Sequence, residues 1–74
     1  MTRLPRVTGK KVVLALKGAG FIVVKINGSH HHLYKPGRNL VTVPVHTGET
    51  LSPMLIKNIL EQAGLTIEEF IELL

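Results

Sequence analysis

Apolar positions along this chain fall into two periods. Over residues 9–19 they recur at helical spacing, with Val12, Val13, Leu16 and Ala19 on one face. Thr8 stands where an N-cap belongs and Gly20 where a helix stops. The run Phe21-Ile22-Val23-Val24-Lys25-Ile26 is rich in β-branched residues and predicts a strand. Asn27-Gly28 follows, two residues that tolerate positive φ, and predicts a hairpin into a second strand over residues 30–35. Pro36-Gly37-Arg38-Asn39 turns the chain again before a third strand over residues 40–45. Pro44 cannot donate to a ladder, so that strand ends at an edge or leaves the sheet. After a loop over residues 46–51, Ser52 and Pro53 open a second helix whose apolar stripe is Leu55, Ile56, Ile59, Leu60 and Ala63, ended by Gly64. Thr66-Ile67-Glu68-Glu69 has the form of a capping box for a short last helix with Phe70, Ile71 and Leu74. The expected fold is α+β: a helix, a three-stranded antiparallel sheet, a helix and a short C-terminal helix. Both main helices need the same face of the sheet, which leaves the other open to solvent or ligand.

The 74 residues make one domain, residues 1–74, with a marginal core, since a chain this short buries only about 60% of its unfolded surface. It has no cysteine to staple it, which fits a reducing compartment. With 45% hydrophobic and 19% charged residues it is too apolar to be disordered. No apolar run approaches the roughly 18 residues of a membrane span, and no signal-peptide stretch is evident. A cytoplasmic protein without membrane contact is expected.

The net charge of +4 hides an asymmetry. Arg3, Arg6, Lys10, Lys11, Lys17, Lys25, Lys35 and Arg38 all precede position 40, where there is no acid. Glu49, Glu61, Glu68, Glu69 and Glu72 all follow it, with Lys57 the only base among them. A basic first half suggests a polyanionic partner such as nucleic acid; an ordinary small basic domain is the bland alternative.

Three of the four histidines are consecutive, in Gly28-Ser29-His30-His31-His32-Leu33-Tyr34. Strand alternation puts His30 and His32 on one face and His31 on the other. Three readings are open. Histidines at i, i+2 can share a metal ion with His46, but no cysteine or well-placed carboxylate completes the set and the spacing matches no common zinc pattern. They can be surface histidines on a solvated strand. Or they can move protons, since imidazole titrates near neutrality and RNA brings its own 2′-hydroxyl as nucleophile. Only the last reading explains the histidines and the charge together, and it needs no cofactor.

Gly20-Phe21 at a helix-to-strand junction, Gly28-Ser29-His30-His31, Val41-Thr42-Val43-Pro44-Val45-His46, and Ile59-Leu60-Glu61-Gln62-Ala63-Gly64-Leu65 followed by Glu68-Glu69-Phe70 resemble, in this order, the HicA family of toxin ribonucleases. The resemblance spans nearly the whole chain. It implies a double-stranded-RNA-binding-domain-like fold, metal-independent cleavage of mRNA, and neutralisation by a HicB-type antitoxin. The family's catalytic histidine directly follows Gly-Ser, which falls on His30. Substrate contacts are expected from Gly28 and Ser29 at the turn, from His32, which replaces a usually apolar residue, and from Lys25, Lys35 and Arg38. Glu61 stands where many members carry a base, so basic contacts from the second helix rest on Lys57. The other reading is a non-catalytic double-stranded-RNA-binding module. Such modules grip phosphates with a lysine-rich start to the last helix, where this chain has only Lys57.

Overall fold

The computed structural model describes residues 4–74, so Arg3 lies outside the described residues. Helix α1 (Gly9–Gly18) begins where Thr8 accepts a hydrogen bond from the Lys11 amide at 3.3 Å. It ends in a Schellman arrangement. The Phe21 amide reaches the Leu16 carbonyl and the Gly20 amide the Lys17 carbonyl, with Gly20 at φ +100°. Strands β1 (Ile22–Asn27), β2 (His30–Tyr34) and β3 (Val41–Pro44) follow, then α2 (Pro53–Ala63) and α3 (Ile67–Leu73). Ser52 caps α2, and Thr66 and Glu69 close both bonds of the capping box on α3. The fold is α+β, in the element order the pattern predicted.

The sheet is antiparallel with order β1-β2-β3, so the histidine strand is central. β3 is an edge strand, which is where Pro44 is tolerated. Two details depart from the expected reading. The hairpin turn is Gly28-Ser29 rather than Asn27-Gly28: Asn27 pairs with His30 as the last rung, and Gly28 alone takes a positive φ, of 63°. That pattern suits a two-residue turn with glycine at its first position. Second, Val24 is an extra residue, since Val23 pairs with Leu33 while Lys25 pairs with His32. This bulge reverses the alternation of β1 at its middle.

The helices cover one face. Leu33, Val41 and Val43 from the sheet meet Val12, Leu16, Ile56, Ile59 and Phe70 in one core, all at most 1% exposed. Burying a side chain of this size stabilises by about 1.5–3 kcal/mol relative to leaving it exposed, so the core locks which sheet face points inward.

Candidate active site on the open sheet face

With Leu33 fixed inward, alternation along β2 sends His30, His32 and Tyr34 to the open face and His31 toward the helices. His30 is exposed and shares its rung with Asn27 and Pro44, beside the Gly28-Ser29 turn. His32 is half-buried and shares its rung with Lys25 and Thr42. Its Nδ1 lies 3.0 Å from the Thr42 hydroxyl, which fixes the ring and leaves Nε2 as the available nitrogen. The two imidazoles stand two residues apart on one strand, about 7 Å along it.

The end of β3 brings the fourth histidine to the same corner. The Val45 amide donates to the Ser29 carbonyl at 2.7 Å, and His46 Nε2 comes within 3.5 Å of Ser29 Oγ, the outer limit of a hydrogen bond. Two close approaches hold this end together, the other being the backbone of Gly9 against Pro44. His30 and His32 therefore share the open face with Lys25, while Ser29 and His46 meet beside the turn at its end, and no acid stands on these rungs.

Lys35 and Arg38 are not brought to His30. Lys35 is five residues along β2, about 17 Å away. Its ammonium donates to the Ala19 carbonyl at 2.7 Å, at the negative end of α1, and sits 5.9 Å from the centre of the Phe21 ring. Arg38 lies over Gly64 at the end of α2, where its guanidinium Nη1 is 2.7 Å from the place a Cβ would occupy. Both cations face helix C-termini at the opposite end of the sheet, a use that sequence position does not reveal. The Glu69 carboxyl is held below the usual carboxylate range, chiefly by the Thr66 backbone amide, then by the Thr66 hydroxyl, with a smaller contribution from Arg38.

Sequence reasoning did not pick out Thr42, the contact of His46 with Ser29, or the side of the strand that His31 faces. The signal for Thr42 was there in its alternation with Val41 and Val43, but only the register places it opposite His32. Among the described residues, no three His, Cys, Asp or Glu side chains converge in a way that would hold a metal ion.

The protein is thus a small α+β domain whose uncovered sheet face carries two imidazoles and a lysine beside a glycine–serine turn. A family model described as the HicA toxin of bacterial toxin–antitoxin matches residues 9–65, and the chain belongs to that family. It is thus a toxin of the kind paired with an antitoxin. No curated protein matches the chain. Among the described residues, no helix is long and apolar enough to cross a membrane.

Proposed function

We propose that this toxin is a metal-independent endoribonuclease of the cytoplasm that cleaves mRNA with His30 as its principal proton-transfer residue. The observation that carries the reading is the exposed His30 ring at the turn end of the open face, next to a second imidazole oriented by Thr42. In the step proposed, His30 takes the proton of the 2′-hydroxyl and that oxygen attacks the adjacent phosphorus. The bond from phosphorus to the 5′-oxygen breaks and the leaving oxygen takes up a proton. The products are a 2′,3′-cyclic phosphate and a 5′-hydroxyl. His32 Nε2 and Lys25 contact the phosphate, and the glycine turn lets the backbone approach it without a side chain between. The nucleophile comes from the RNA, so the protein needs neither a metal nor a nucleophile of its own.

The test is cleavage of an mRNA fragment in the presence of a chelator, beside a DNA of the same sequence. RNA should be cut and DNA left intact. Loss of a positioned proton-transfer group costs about 10² to 10⁴ in rate, so His30→Ala should fold and lose activity by that factor. A folded His30→Ala protein that cleaves at the parental rate overturns the reading.

The antitoxin of this proposal is of HicB type and covers the same face, its carboxylates drawn by the cationic surface that would draw phosphates. Hydrogen exchange on the complex should protect residues 30–35; protection confined to residues 68–74 would count against masking.

A further inference from the structure

On the other side of β2, His31 pairs with Ile26 and Val43 and lies against a groove between α1 and the β1–β2 hairpin. The groove encloses about 280 Å³, with Val23, Ile26 and Val45 among its apolar walls. Its only polar side chains are Lys10, Lys17 and His31. Both lysines are exposed, and being seven residues apart on α1 they stand two turns, about 10.5 Å, from each other.

The chemistry of His31 follows from its buried edge. Nδ1 is shut off from solvent with no hydrogen-bond partner, the one such side-chain atom among the described residues. A buried N–H without an acceptor costs more than a bare lone pair, so the neutral ring keeps Nδ1 unprotonated and carries its proton on Nε2. Nε2 is the nitrogen that is not shut off, and it meets the groove as a donor. The lining thus offers two ammonium groups and an N–H, with no side-chain acceptor. A ligand that engages all three donors is rich in acceptors, anionic and extended.

We infer that this groove holds the sugar–phosphate backbone of the RNA flanking the cleaved bond. His31 Nε2–H and the two lysines donate to non-bridging phosphate oxygens. The inference rests on the RNA reading above but not on its catalytic step. His30 and His31 are consecutive on one strand and face opposite sides, so a strand of RNA crossing the Gly28-Ser29 turn reaches both. The groove residues are positioning residues: they set where RNA lies, not how its bond breaks.

The test measures binding of a fluorescent RNA bearing 2′-O-methyl groups throughout, which cannot be cleaved, over a range of salt. Each lysine–phosphate contact to a single strand contributes about 0.7 to the slope of log K against log salt. Lys10→Gln/Lys17→Gln should lower the slope by about 1.4, each single variant by about 0.7, while Lys11→Gln, exposed on α1 but outside this groove, leaves it at the parental value. The His31 imidazole nitrogen signals should shift on titration with the same RNA. Cleavage assays of the double variant should show a raised KM with kcat little changed, the pattern of lost uniform binding. An unchanged slope in the double variant, an equal drop for Lys11→Gln, or a parent protein that fails to bind this RNA overturns the inference. A parent that binds with the expected slopes but cleaves nothing overturns the ribonuclease reading and leaves the groove standing.

Discussion

Helix α1 carries a glycine at each end, and replacing each by alanine should change stability in opposite directions. Gly9 is buried, and a Cβ built on it lands on the Pro44 carbonyl oxygen, with the Pro44 carbonyl carbon at 3.0 Å and Val45 Cα at 3.1 Å. Everything it meets is backbone, so no side chain can rotate away. Overpacking of this kind typically costs about 1–3 kcal/mol. A clash with backbone belongs at the upper end of that range, and alanine returns at most about 1 kcal/mol of helix propensity, which leaves a net loss of about 2 kcal/mol. For a domain of this size that lowers Tm by about 8–16 °C. At Gly18 the nearest atom to a new Cβ is Leu73 Cδ2, at 3.4 Å, the far end of a movable side chain. Gly18→Ala should raise Tm by a few degrees, the return of part of the same roughly 1 kcal/mol. Thermal unfolding followed by circular dichroism, with both variants beside the parent, decides the matter. The Gly9 contact also holds the chain segment that carries His46 to Ser29, so Gly9→Ala should reduce RNA cleavage beyond its effect on stability. A Gly9→Ala protein as stable as the parent would refute the close approach of α1 to β3.

Three other outcomes follow from single contacts. Lys35→Gln removes the bond to the Ala19 carbonyl and the contact with Phe21, and should cost about 1 kcal/mol of stability while leaving the salt slope of RNA binding unchanged. Equilibrium unfolding in urea beside the salt titration separates the two roles. Thr42→Val frees the His32 ring from its partner, and should lower cleavage less than His30→Ala does, with the loss matched by His32→Ala and not additive with it in the double variant. The Glu69 carboxyl is depressed in the folded state, so its contribution to stability is present above the unfolded carboxylate pKa and is lost as pH falls through the folded value. Melts across the acid range should show this loss for the parent and not for Glu69→Gln.

Much of this domain was legible in the sequence because its determinants are local. Thr8, Ser52-Pro53 and Thr66 to Glu69 cap helices through bonds to amides within three residues, and Gly20 and Gly64 end helices by taking positive φ themselves. The split of the histidines between the two faces of β2 needs only the two-residue period of a strand. What required the tertiary structure depends on the pairing of distant segments. The bulge at Val24 sends Lys25 to the open face with His32 and Ile26 to the helix side with His31, the reverse of what alternation from Val23 dictates. Register alone sets Thr42 against His32, and a backbone bond from Val45 to Ser29, sixteen residues apart, places His46 at the turn. Lys35 and Arg38 read as cations beside a histidine strand, but the carbonyl end of α1 and the cap of α2 are nearer to them than His30 is. A charge close in sequence can be far in space when the strand between is extended, and where it settles is decided by whichever helix end packs beside it.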